Sequence, residues 1–306
     1  MLSRIAESLF WIGRYLERAE DTCRIVEMHL QLLVDDPTVD QDDAAITLLA
    51  VMGAPSVEVA STTEVLRALC YDPVSPASVA ATLGGAREAA RRARETVSSE
   101  VWEAINTTWN SVKGGRLQRM RPTAAFRLVR ERCAVITGTA DQTMSHDEGW
   151  LFLTLGRSVE RIDMTARLIS IAQVAGTQSA WSNVLRGCGA HHAFVRSYGG
   201  VTTDRDAAEF VLLDRLFPRS VVHNLRGAEA ALGALDLAAS TRGYEDEATR
   251  LLGTARASLE YRDPDRVLDD LPQRMAELQR TCNKVSQAIT ERYFSGSTAA
   301  SWSGGN

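Results

Sequence analysis

Lysine is almost missing from this chain: Lys113 and Lys284 are the only two in 306 residues, and the other cations are arginines. Arginine keeps its charge when partly buried and offers a planar fork to carboxylates and phosphates. There is no Gly-x-x-x-x-Gly-Lys stretch, so the sequence offers no P-loop nucleotide site. Positive charge is not in excess either. The formal net charge is -5, which leaves no broad basic field to hold nucleic acid. Cysteine is sparse: Cys23, Cys70, Cys133, Cys188 and Cys282 are odd in number and scattered, and none forms a Cys-x-x-Cys pair. They read as reduced core thiols in a reducing compartment, not as a disulfide frame or zinc site. No apolar run is long enough to span a membrane. Arg4, Glu7, Arg14 and Glu17 interrupt the start, so no signal peptide is read there. A cytoplasmic protein with no membrane contact is the expectation. No alternating apolar run demands a strand.

What is present is helix. Leu2, Ile5, Leu9, Ile12, Leu16, Ala19, Cys23, Val26, Leu30 and Leu33 step by three and four, an apolar seam on one very long helix that ends at Asp35-Asp36-Pro37. Shorter helices are expected from Asp42 to Met52 and from Ser61, where Glu64 suggests a capping box. A longer one starts near Pro76 and runs to Val97, and Ser98 caps another containing Trp102 and Trp109. Gly114-Gly115 breaks the chain, residues 116–121 form a loop, and Pro122 opens a helix to about Ser145. The pattern then restarts with Phe152, Leu155, Val159, Ile162, Ala166 and Ile169. Later helices are expected at Ser179–Tyr198, Asp204–Phe217, Ser220–Ser240, Glu245–Arg262 and on to Phe294, with a bend or restart at Pro272. Residues 295–306 read as a disordered tail.

The restart is a repeat. Gly13-Arg14-Tyr15-Leu16-Glu17-Arg18 lies over Gly156-Arg157-Ser158-Val159-Glu160-Arg161, with Thr22 over Thr165 and Arg24 over Arg167. Farther on, Asp72, Pro76, Ser78, Leu83 and Gly85 lie over Asp214, Pro218, Ser220, Leu225 and Gly227 at nearly the same spacing. The expected fold is therefore all-α: a tandemly duplicated long-helix bundle with a pseudo-twofold relation between halves, 1–145 and 146–294.

The repeated Glu-Arg motif falls off the apolar seam. Arg14 and Arg18 share one face, as do Glu17 and Asp21. A glycine inside a long helix costs about 1 kcal/mol against alanine. Its presence in both copies, as Gly13 and Gly156, points to a close approach by another backbone or a ligand. Three readings stand side by side. Glu17 and Glu160 could join an ion-pair network that fixes geometry. Arg14, Arg18, Arg157 and Arg161 could hold an anionic group in a polar pocket at the pseudo-twofold, with Glu17 or Glu160, the catalytic candidates, holding an amine or acting as a base. Or the face could dock a partner. The helical run Arg87, Arg91, Arg92, Arg94 with Glu88 and Glu95 reads as a self-paired solvated face, with an anionic partner as the alternative. His191-His192 point about 100° apart on a helix, and His29, His146 and His223 have no ligand spacing, so no metal or other cofactor is expected.

The duplicated Gly-Arg-x-x-Glu-Arg, together with the Ala86–Asn106 stretch containing Trp102, resembles the bacterial alpha-E domain family from Met1 to about Phe294. The resemblance implies that Glu17-Arg18 and Glu160-Arg161 are the family-motif residues. It also implies genomic association with circularly permuted ATP-grasp proteins, a carboxylate–amine ligase class, and with transglutaminase-like peptidases. The expected role is a non-catalytic helical subunit for such a ligase in peptide synthesis or modification, with a peptide substrate. The alternatives are an enzyme in its own right, or a structural homo-oligomer. Ser158 in place of Tyr15, and the lack of a second Trp102 segment after Ser240, set the two copies apart.

Overall fold

The computed structural model describes residues 1–55, 60–175, 180–199, 203–236, 246–263, 266 and 269–294. Among these, helix is the only regular secondary structure. The chain divides into two units: residues 1–157 with 293–306, and residues 158–292.

In the first unit α1 (Ser3–Asp35) is the spine, and Leu9, Ile12, Leu16, Ala19, Cys23 and Val26 of its seam are all buried. Then come α2 (Gln41–Val51), α3 (Thr62–Leu66), α4 (Val79–Arg92), α5 (Ser99–Val112), α6 (Pro122–Thr143) and the first ten residues of α7 (Glu148–Ala175). Helices α4 and α6 pack on α1, and α5 closes the ring between them. The starts are fixed by side chains: Asp40 accepts from Asp42 and Asp43 N–H, and Ser78 and Ser98 cap α4 and α5. Ser61 accepts from the Glu64 N–H, at 3.4 Å. Gly114 and Gly115 both adopt positive φ, which glycine tolerates without a Cβ clash.

Several local features depart from the sequence expectation. The helix expected from near Pro76 to Val97 is shorter, Val79–Arg92, and its chain turns at Ala93. Residues Arg67–Tyr71 form a π-helical turn, closed by Asp72 N donating to Arg67 O. The 116–121 link is not simply a loop, since Leu117–Arg119 makes a 3-10 turn.

In the second unit the remainder of α7 is followed by α8 (Ala180–Gly187), α9 (His191–Tyr198), α10 (Asp204–Leu213), α11 (Val221–Leu235), α12 (Glu247–Glu260) and α13 (Leu271–Tyr293). Helix α10 touches α8, α9, α11 and α12, and α11 lies along α12. The single helix expected over Ser179–Tyr198 is two, because Gly189 takes φ 65° and turns the chain between them. Pro272 lies in the first turn of α13, where a missing N–H costs nothing. The expected boundaries at Ser179, Ser240 and Glu245, and the tail 295–306, lie outside the described residues.

Aromatic side chains complete the first unit from the far end of the chain. Phe294 is buried with its ring centroid 5.7 Å from Phe10 and 5.8 Å from Phe152, and Tyr293 meets Phe152 at 5.3 Å.

Candidate functional site

The motif helices bury charge to an unusual degree. On α1, Glu7, Arg14, Glu17, Arg18, Glu20 and Asp21 are all buried, and on α7 so are Glu160, Asp163 and Arg167. Desolvating so many ions is costly unless each finds a counter-charge or an aligned hydrogen bond. Part of the answer is within each helix. Arg24 donates Nε and Nη2 to Glu20 Oε1 at 3.1 and 2.8 Å, and Arg167 donates Nε to Asp163 Oδ2 at 2.9 Å. Both are i,i+4 pairs, the spacing that brings side chains together on one face. Glu20 and Asp163 occupy the same repeat position, as Arg24 and Arg167 do. Alignment of the repeats marks the arginines, while the change from Glu to Asp hides the equivalence of the acids. The signal available was an acid four residues before an aligned arginine in both copies.

The motif glycines have a backbone explanation. A Cβ on Gly13 would stand 2.1 Å from Leu153 O and 2.8 Å from Arg157 N, and one on Gly156 would stand 2.0 Å from Phe10 O. The crossing is reciprocal: each glycine sits against the other helix's main chain. Of the two expectations for these positions, backbone contact is what is found.

Arg14, Arg157 and Arg161 differ in the neighbours described for them. Arg14 is buried, with its guanidinium 5.4 Å from the Trp11 ring centroid and 5.9 Å from that of Phe10, a cation–π arrangement. The repeat positions of those rings are Leu153 and Thr154, which offer no π face. Arg157 instead faces Asp141, with Nη1 3.4 Å from Oδ2. The same carboxylate accepts from Trp150 Nε1 at 3.3 Å, and His146 stacks on Trp150 at 3.9 Å. Arg18 is buried on α1. Arg161 donates Nη1 to Pro218 O at 3.1 Å, and Asn224 Nδ2 donates to the same carbonyl at 2.9 Å.

That carbonyl belongs to a loop built like one in the first unit. Asp72 Oδ1 accepts from Val74 and Ser75 N–H, as Asp214 Oδ1 does from Leu216 and Phe217 N–H. Ser78 Oγ donates to Asp72 O and caps α4, and Ser220 Oγ donates to Asp214 O and caps α11. A Cβ on Gly85 would meet the Tyr15 ring at 3.0 Å, and one on Gly227 would meet Ser158 Oγ at 3.4 Å. Tyr15 and Ser158 are repeat partners, so the same small residue faces the same position in each unit.

The arginine run on α4 is self-paired in the way expected of a solvated face. Glu88 pairs with Arg91 at 2.7 Å and with Arg92 at 3.3 Å. The Arg91 hydrogen bond is the main cause that holds the Glu88 carboxyl down at about 2. Arg87 donates to Asn106 at 2.8 Å, and Arg94 lies 5.2 Å from the Trp102 ring centroid. All five cysteines are buried, and burial pushes the Cys23 and Cys70 thiols well up. High thiol pKa means little thiolate and low nucleophilicity. Among the described residues no group of three histidine, cysteine or acidic side chains is placed to hold a metal ion, and no helix is long and apolar enough to cross a membrane.

The Alpha-E family model, described as a predicted alpha-helical domain with a conserved ER motif, matches residues 1–294. Uncharacterized proteins of Mycobacterium bovis and Mycobacterium tuberculosis are each 24% identical to this chain over 323 aligned positions, covering 94% of it. The chain spans about a third of the length of these relatives, 36% in each case. No solved structure matches.

Proposed function

The chain belongs to the Alpha-E family, and on that premise we propose that it is a non-catalytic helical subunit serving an ATP-grasp carboxylate–amine ligase in peptide synthesis or modification. The observation that carries this reading is the burial of the family motif. Glu17, Arg18 and Glu160 lie in the interior of long helices. A general base must reach the proton it removes. Charges buried along a helix beside a tight backbone crossing suit a rigid frame better than an open reaction centre. The length of the relatives supports the same reading, because about two thirds of each lies outside the matched segment. In those proteins the matched segment is one portion of a longer chain. The ATP-grasp class of the partner, and a transglutaminase-like peptidase as a second associate, are what the resemblance to the alpha-E domain family implies. The cytoplasm is the compartment this reading requires. The likeness of the two Asp-to-Ser loops and of the Gly85 and Gly227 positions further supports descent of both units from one duplicated ancestor.

Co-purification tests the proposal. A tagged chain is expected to retain a circularly permuted ATP-grasp protein of the same organism and to raise its ligase activity. Glu17→Gln and Glu160→Gln are expected to lower the melting temperature and weaken partner retention together. If both variants melt as the parent and retain the partner, yet abolish product, the motif is catalytic and the subunit reading fails.

A further inference from the structure

We propose that the corner of the second unit where the 214–218 loop meets the end of α12 docks a segment of a partner protein in which carboxylates alternate with large apolar side chains. None of the side chains proposed to meet the partner segment belongs to the Glu-Arg motif, so the proposal does not depend on the ligase reading.

The corner is organised around one carboxylate. The Glu260 side chain is 4% exposed and serves three arginines. Arg215 Nε and Arg226 Nε lie 3.1 and 3.2 Å from Oε1, and Arg256 Nη1 lies 2.5 Å from Oε2. Arg256 Nε also donates to Glu229. Burial raises the Glu260 carboxyl, but the Arg256 hydrogen bond and the charges of Arg226 and Arg215 outweigh it and leave the group below its ordinary range. The anchor therefore stays ionised at neutral pH. Glu260 and Glu229 are 4% and 21% exposed, and Asp214 is turned to the backbone N–H groups of its own loop, so the charge that Arg215 and Arg226 present to solvent is positive.

That charge is accessible. The Arg215 and Arg226 side chains are 58% and 47% exposed. Their contact with Glu260 is Coulombic: Oε1 receives no aligned hydrogen bond among the described residues. The donors of both forks are thus available, and their position is held by a shared buried counter-ion. A guanidinium fork matches a carboxylate bidentately.

Apolar surface flanks the cations on both sides. Leu216 follows Arg215 and is 87% exposed, while Tyr261 follows Glu260 and is 83% exposed. Leu216 is not on a frayed end. Asp214 holds the Leu216 N–H at 2.8 Å, Ser220 fixes the Asp214 carbonyl, and Arg161 and Asn224 fix that of Pro218. A displayed side chain on a pinned loop has little ordering entropy left to lose on binding. Arginine and tyrosine beside an exposed aliphatic group form the mixed chemistry from which interface hot spots are built. An acidic segment with interspersed leucines complements both parts.

The first unit supplies an internal control. Val74 takes the repeat position of Leu216 on the equivalent loop and is also exposed, but Pro73 and Gly84 stand where Arg215 and Arg226 do. It presents the apolar knob without the cations.

The experiment titrates the full chain against a fluorescently labelled, N-acetylated peptide of glutamates with interspersed leucines. Control peptides carry Gln for Glu or Ser for Leu, and inorganic phosphate is a further ligand. Binding to the Glu/Leu peptide is expected, weakening with salt. R215Q/R226Q is expected to weaken it roughly tenfold or more, consistent with loss of charge-assisted hydrogen bonds. L216S/Y261S is expected to weaken it as well, and V74S to leave it unchanged. All these side chains are exposed, and circular dichroism melts verify that each variant folds. No binding at millimolar peptide, equal binding of the Gln peptide, or indifference to R215Q/R226Q would each overturn the proposal. Phosphate binding as tightly as the peptide would reduce the corner to a simple anion site and overturn it too.

Discussion

Gly13 and Gly156 set the distance between α1 and the start of α7. Each lies where a single added carbon would enter the opposite main chain, at 2.1 and 2.0 Å from a carbonyl oxygen. A carbonyl within a helix cannot rotate aside as a side chain can. Alanine would gain about 1 kcal/mol of helix propensity at either position, but overpacking costs about 1–3 kcal/mol, and an immovable neighbour argues for the upper end. Gly13→Ala and Gly156→Ala are therefore each expected to destabilise by about 2 kcal/mol, read as a lower midpoint in urea unfolding. His29 gives a different kind of test. It is buried on α1, and among the described residues nothing hydrogen-bonds its Nε2. Desolvation lowers its pKa from 6.5 to about 4. The folded state then binds fewer protons than the unfolded state between those values, so stability falls as pH drops from about 6.5 to about 4. The full effect is roughly 3 kcal/mol, with about 2 of it lost by pH 5. His29→Leu is expected to flatten that limb, measured as the difference in unfolding free energy between pH 7 and pH 5.

Individual helices were legible in the sequence to the extent that their signals were local. The three-and-four stepping of Leu9 to Val26 and of Phe152 to Ile169 marks two buried seams, and both are buried. Ser98 and Ser220 read as helix starts, and each accepts the N–H three residues on, whereas the helix expected near Pro76 opens at Ser78 instead. What escaped depends on geometry that spacing does not encode. The π-helical turn at Arg67–Tyr71 has no local signature distinct from an α turn. The break between α8 and α9 was signalled by Gly187-Cys188-Gly189 and outweighed by the apolar residues around it. In the motif, the glycines pointed to a close approach, but which backbone they meet is a tertiary fact. The differing fates of Arg14 and Arg157 depend on rings present beside one and absent beside the other. The twin loops allow a paired test at this scale. Ser78→Ala and Ser220→Ala each remove one cap and one bond to a carbonyl, Asp72 O or Asp214 O. Each is expected to cost about 1.5 kcal/mol. Thermal melts should give similar losses for the two, and a clear inequality would count against the loops being equivalent.

At the scale of the whole molecule the first unit is discontinuous, drawing on residues 1–157 and again on 293–306. Phe294 is the point of closure, buried against Phe10 and Phe152. Phe294→Ala is expected to cost about 3–4 kcal/mol, with the first unit losing protection as judged by hydrogen exchange at α1 amides. A chain cut after Arg292 should show a larger loss in the same helix, although α1 lies at the opposite end of the sequence.

That closure also fixes an order of events during synthesis. Residues 1–157 leave the ribosome with Phe10 and Phe152 lacking the aromatic partner that covers them, and every residue of the second unit must be made before Phe294 arrives. At elongation rates of about 5–20 residues per second this interval is on the order of ten seconds. Through it the nascent first unit is a substrate for chaperones and proteases, and a ribosome that stalls within residues 158–292 releases a product marked by uncovered aromatic surface.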